Sequence, residues 1–115
     1  VQQRPHDGFL GGLWELPRAR VREREAPADS LRRALRQAHG LEVDVGRALP
    51  EVKHAYSHFK LTLSPFVCRA AARAHRAAEG QPRRWVTPRQ LQELAMARAE
   101  RKVLELFLAD PADPV

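Results

Sequence analysis

LRRALRQAHGL, residues 31–41, decides how this chain is read. Leu31, Ala34, Leu35 and Ala38 recur at i, i+3, i+4 and i+7, which on a helix of 3.6 residues per turn makes one apolar stripe. Pro27 upstream suits a first helical turn, where its missing N–H has no intrahelical partner to lose. Gly40 suits the left-handed residue that ends a helix, because glycine has no Cβ to clash there. The spacing therefore predicts a helix that stops at Gly40. Positions 34, 37 and 38 hold Ala34, Gln37 and Ala38, so no acid stands there.

Downstream, Leu41, Val43 and Val45 alternate with Glu42 and Asp44, the period-two pattern of a half-buried strand. VKHAYSHFKLTLSPFVC, residues 52–68, is less regular. Phe59, Leu61 and Leu63 keep one parity, whereas Val52, His54 and Tyr56 keep the other. A strand cannot change faces without a bulge or turn, so a break is expected near Tyr56, Ser57 and His58. Such a loop puts short polar and aromatic groups at an exposed sheet end, where binding residues concentrate.

Upstream, GFLGGLWELP at residues 8–17 reads as a glycine-rich entry into a short strand ended by Pro17. Arg18, Arg20, Arg22 and Arg24 then alternate with Ala19, Val21, Glu23 and Glu25, which predicts a charged loop or edge strand. Residues 69–84 are low in complexity and read as a helix turn or a connector, closed by Gly80 and Pro82. Trp85 and Val86 suggest a brief strand, with Trp14 and Trp85 expected in the core. Thr87, Pro88 and Gln90 supply a helix start: a cap, a first-turn proline and a glutamine three residues after the cap. A last helix is expected from about Ala97 to Leu108, burying Val103, Leu104, Phe107 and Leu108. Strands and helices in this order suggest an α/β or α+β sandwich.

At 115 residues the chain fits one compact domain, residues 1–115, able to bury roughly two thirds of its unfolded surface. Twenty Lys and Arg against 14 Asp and Glu give a formal charge of +6, which fits an anionic partner such as nucleic acid or nucleotide. Cys68 stands alone, so this chain cannot by itself build a disulfide framework, a zinc cluster or an iron–sulfur cluster. A reducing cytoplasm fits, and no apolar run approaches the length of a membrane span. VQQRP at residues 1–5 reads as the tail of a strand whose beginning is missing, and the only methionine is Met96, so a piece of a longer protein is expected.

Two resemblances follow. The helix resembles the box of the MutT-like Nudix pyrophosphohydrolases, G-x5-E-x7-R-E-U-x-E-E-x-G-U with U aliphatic. Laid on this chain, the pattern meets Ala19, Glu25, Arg33, Ala34, Leu35, Gln37, Ala38, Gly40 and Leu41. The scaffold positions match, whereas the three helical glutamates that hold divalent cations against a diphosphate become Ala34, Gln37 and Ala38. No metal site and no Nudix hydrolysis are therefore expected, and no catalytic residue is assigned. The second resemblance spans nearly the whole chain. QRP-x-x-G-x-L-x-GLWE-x-P (3–17), V-x-H-x-Y-S-H-x-x-L-T (52–62), R-W-V near 85 and K-V-x-x-L near 102 are similar to the C-terminal, degenerate Nudix domain of MutY-type adenine DNA glycosylases. Tyr56-Ser57-His58 stands where that family usually has Phe-Ser-His.

This resemblance implies a Nudix-like α/β/α sandwich with a mixed sheet, lacking the start of its first strand. It also implies a role in base-excision repair at 8-oxoguanine:A and G:A mispairs. The expected partners are double-stranded DNA carrying the mispair and an N-terminal glycosylase domain of the same protein. That domain would carry the catalysis and an iron–sulfur cluster, leaving no cofactor in this chain; no membrane partner is expected, and a bacterial cytoplasmic, nucleoid-associated location is. Ser57 is the expected reader of the oxidised purine, with Tyr56 against bases or sugar, His58 holding the loop or touching phosphate, and Arg4 near the DNA backbone or capping a strand. His54 is expected to be structural, and the arginines from 18 to 24 a solvated loop. The rivals are a divergent Nudix hydrolase of oxidised nucleoside triphosphates, using Glu23, Glu25 or Glu42, and a protein-interaction module that has lost nucleotide contact.

Overall fold

A computed structural model describes residues 1–70 and 83–110. Among these residues six strands and three helices follow one another: β1 (Gln2–Gln3), β2 (Trp14–Glu15), α1 (Pro27–His39), β3 (Val43–Ala48), β4 (Val52–Ala55), β5 (Lys60–Leu63), β6 (Phe66–Ala70), α2 (Pro88–Glu93) and α3 (Arg98–Ala109). The strands pair antiparallel in three two-stranded ladders, β1 with β2, β3 with β6 and β4 with β5. The first ladder gains mixed neighbours, since Gln2 bridges Arg83 antiparallel and Trp14 bridges Met96 parallel. The fold is thus mixed α/β, as the order of strands and helices in the sequence suggested, with the described strands in small ladders.

Helix α1 forms as its sequence dictates. Pro27 opens it, and Gly40 ends it at φ 61°, with its N–H donating to the Arg36 and Leu35 carbonyls. Leu35 is buried and Leu31 and Ala34 half-buried, but Ala38 is exposed, so the stripe is narrower than its spacing predicts. The helix packs on β3, whose buried Val43 answers Leu35; α3 packs on β4, bringing Val103 and Leu104 toward Val52. Each such aliphatic burial contributes about 1.5–3 kcal/mol relative to exposure. In α2 the Thr87 hydroxyl accepts from the Gln90 N–H while the Gln90 side chain accepts from the Thr87 N–H, the reciprocal cap expected there.

Three expectations are corrected. Trp85 and Val86 join no ladder, and the bridge falls two residues earlier, at Arg83. Trp85 is 48% exposed and not core, while Trp14 is half-buried with the Arg84 guanidinium 4.7 Å over its ring. Leu108 is 45% exposed; the inner face of α3 instead carries Ala99 and, unexpectedly, the carboxylate of Glu100. Residues 71–82 of the low-complexity stretch lie outside the described residues, and among the described residues no helix is long and apolar enough to cross a membrane.

Candidate nucleic-acid interface

The parity break in residues 52–68 is a hairpin turn. Strand β4 pairs with β5 through Ala55 and Lys60, leaving residues 56–59 as the turn, closed by a Tyr56 N–H to Phe59 carbonyl bond of 2.8 Å. Val52 and His54 pair with Leu63 and Leu61, so the change of parity is absorbed where the chain reverses. Ser57 and His58 occupy the tip and are exposed, and neither makes a hydrogen bond to another described residue.

Tyr56 is half-buried at the centre of an aromatic cluster. Its ring meets Phe9 edge-on at 5.4 Å, Phe59 at 4.9 Å and His54 at 4.6 Å, while Phe9 and Phe59 are 5.6 Å apart. The pairs with Phe9 and His54 are edge-to-face and satisfy the ring quadrupoles, whereas Phe59 lies tilted at 36° to Tyr56. From behind, Lys102 of α3 donates to His54 Nδ1 at 3.3 Å, which gives His54 the structural role expected of it. Phe9 and Phe59 were not singled out from sequence. They come from segments fifty residues apart, and only the parity of Phe59 hinted at a shared face.

Arg4 lies beside this cluster but its guanidinium is engaged inward. Nε donates to the Phe9 carbonyl at 2.9 Å and Nη1 to Glu15 Oε2 at 2.8 Å. Its backbone closes the same loop, the Arg4 N–H donating to Leu13 and its carbonyl accepting from Gly12. Gly12 takes φ 79°, and a Cβ at Gly11 would overlap the His6 carbonyl, so the tight reversal of residues 5–13 requires both glycines. Buried Glu15 also accepts from Gln2 Nε2 at 3.0 Å. Arg18 reaches the buried carboxylate of Glu100, whose second oxygen accepts from the Leu16 N–H at 3.2 Å. Two buried acids thus tie β1, β2 and α3 together, a network no sequence pattern announced.

The pyrophosphohydrolase positions sit elsewhere, on α1 and the segments that flank it. Glu25 Oε1 accepts from Ser30 Oγ at 2.5 Å and from Arg33 Nη2 at 3.0 Å. The Arg33 hydrogen bond, followed by that from Ser30, holds the Glu25 carboxyl below the usual carboxylate range. Glu42 is paired with Arg36 at 2.6 Å. Across the described residues no three His, Cys, Asp or Glu side chains converge where they could hold a metal. Alanine at 34 and 38 offers no ligand oxygen and Gln37 no charge, so the donor set does not fit the divalent cations that serve diphosphate chemistry.

The sequence profile of the NUDIX domain matches residues 1–106. The chain belongs to the NUDIX domain family. Among its relatives, this NUDIX chain is 32% identical over 111 residues to an adenine DNA glycosylase of Homo sapiens, covering 91% of this chain and 20% of that one. It is 33% identical over 67 residues to an 8-oxo-dGTP diphosphatase of Proteus vulgaris, covering 58% of this chain and 60% of that one. The solution structure of the E. coli ORF135 protein superposes with a TM-score of 0.71 at 27% identity, over 97% of this NUDIX chain and 83% of that chain. The chain thus spans about a fifth of the length of the human glycosylase and three fifths of the diphosphatase. Homology to adenine DNA glycosylases and to an 8-oxo-dGTP diphosphatase, within a Nudix-like fold, agrees with the family expected from the sequence.

Proposed function

We propose that this NUDIX domain reads 8-oxoguanine for an adenine DNA glycosylase that acts on 8-oxoguanine:A and G:A mispairs. The observation that carries the reading is the face of α1. Ala34, Gln37 and Ala38 replace a cation-holding set in a chain similar over 91% of its length to an adenine DNA glycosylase. A NUDIX domain without its acids is then a binding fold. The excision step and its iron–sulfur cluster belong, on this reading, to an N-terminal domain of the same protein, and the work is done on nucleoid DNA in the cytoplasm.

The chemistry at the turn follows from how oxidation alters guanine. Guanine N7 accepts a hydrogen bond. In 8-oxoguanine N7 carries a proton and C8 an oxygen, so one edge exchanges an acceptor for a donor beside a new acceptor. The Ser57 hydroxyl can accept from N7–H, and a backbone N–H in the turn can donate to O8. Their exposed position and lack of intrachain partners among the described residues support that use. Tyr56 braces the turn from below and His58 stands beside Ser57 within reach of phosphate. Arg4 serves by fixing the Phe9 loop. Its guanidinium is already paired with Glu15.

The test is Ser57→Ala in the full-length protein, with adenine excision followed on 8-oxoguanine:A and G:A duplexes. The preference for the oxidised mispair is expected to fall by about 5- to 150-fold, the worth of one good base contact. Equal slowing on both duplexes overturns the reading.

A second reading, a divergent hydrolase of oxidised nucleoside triphosphates, is favoured by the similarity to the Proteus vulgaris diphosphatase. Against it stand Ala34 and Ala38 and the commitment of Glu25 and Glu42 to arginines. Mg2+-dependent release of pyrophosphate from 8-oxo-dGTP by the chain would establish it. Equal affinity for lesion-bearing and plain DNA would point instead to a protein-interaction module.

A further inference from the structure

Phe9 is 51% exposed and Phe59 46% exposed, yet the two rings touch each other and Tyr56. Exposed phenylalanines scattered singly need no explanation, but two that share a face form an apolar patch on a polar surface. The patch adjoins the turn that carries Ser57 and His58, and Lys60 follows Phe59 directly, exposed and without an ion pair among the described residues. Below the rings lies a cavity of about 140 Å3, lined by Arg4, Phe9, Tyr56, Phe59 and Leu61 among others. Phe9 is not a wandering loop residue. Arg4 grips its carbonyl, Glu15 anchors Arg4, and two glycines set the loop's curvature.

We infer that Phe9 and Phe59 form a stacking face for a nucleobase next to the purine read by Ser57, so that the domain holds DNA locally unstacked. The inference rests on the proposed reading of the turn and adds to it a second contact made from another segment. Aromatic rings flanked by cations are the chemistry that takes unstacked bases, because every base has a π-face and every nucleotide a phosphate. The net charge of +6 suits a polyanion, and an apolar wedge at a base step bends and opens the duplex where a neighbouring base is being inspected.

The experiment uses the full-length protein and duplexes with 2-aminopurine on either side of 8-oxoguanine. Binding is expected to raise 2-aminopurine emission at one of the two positions. Phe9→Ala should abolish that rise and weaken binding by about 5- to 100-fold, the range for loss of one base–aromatic stack. Phe9→Tyr should retain both, and Phe9→Leu, which keeps apolar bulk without a ring, should lose the emission change with its melting temperature intact. If Phe9→Ala and Phe9→Leu both keep the emission change and the affinity, the stacking face is overturned, whatever Ser57→Ala does. A fall in the melting temperature of the DNA-free protein, with the emission change kept, assigns the patch to a protein contact and also overturns it. Conversely, if Phe9→Ala abolishes the emission change while Ser57→Ala spares lesion preference, the stacking face stands and the reading of Ser57 fails.

Discussion

Arg33 closes on Glu25 from nearly two turns inside α1, its Nη2 3.0 Å from Oε1 and its Nε 3.4 Å from Oε2, with Ser30 on the same carboxylate. In this chain the glutamate of the pyrophosphohydrolase pattern is a structural brace between the arginine-rich loop and the helix. Because these bonds lower the Glu25 pKa, the folded state holds the carboxylate more tightly than the unfolded chain does. The stabilisation is complete above the ordinary glutamate range and fades as pH falls through the lowered value. Glu25→Gln should therefore lower the melting temperature at neutral pH, and the gap to the unsubstituted protein should narrow in acid. A gap independent of pH would contradict the brace.

The vacant acid positions make a gain-of-function prediction. Replacing Ala34, Gln37 and Ala38 together by glutamate puts three carboxylates at i, i+3 and i+4, on one face of α1. Mg2+ or Mn2+ should then raise the melting temperature of the triple variant and leave that of the unsubstituted protein unchanged. Thermal unfolding with and without the cation measures it.

Glu100 is 3% exposed and accepts from both Arg18 and the Leu16 N–H. Glu100→Ala leaves that half-buried amide without its partner, at a cost of about 1 kcal/mol. Glu100→Gln keeps an acceptor and should cost less. Chemical denaturation of the two variants gives the comparison.

What the sequence disclosed was local. Gly40, Pro27 and the Thr87–Gln90 pair act within a few residues of themselves, so helix ends could be placed from the chain alone. The parity change at Tyr56 located the turn for the same reason. Trp85 and Leu108 misled because burial depends on what arrives from elsewhere, and their neighbourhoods did not say that each would stay about half exposed. Glu15 and Glu100 were invisible as a network because charge in a sequence reads as surface until two distant segments pair it. The contact of Phe9 with Phe59 is of that kind too. It needs the 5–13 loop and the β4–β5 hairpin placed side by side, which no periodicity encodes.

The first strand finds its neighbours late. Gln2 is bridged to Arg83, the Arg84 N–H donates to the Val1 carbonyl at 2.9 Å, and the Trp14 N–H donates to the Ala95 carbonyl at 2.8 Å. During synthesis, a ribosome must therefore release almost the entire domain before residues 1–15 can settle. Until then the nascent chain carries an unpaired strand edge and an uncovered tryptophan, the kind of surface that chaperones bind.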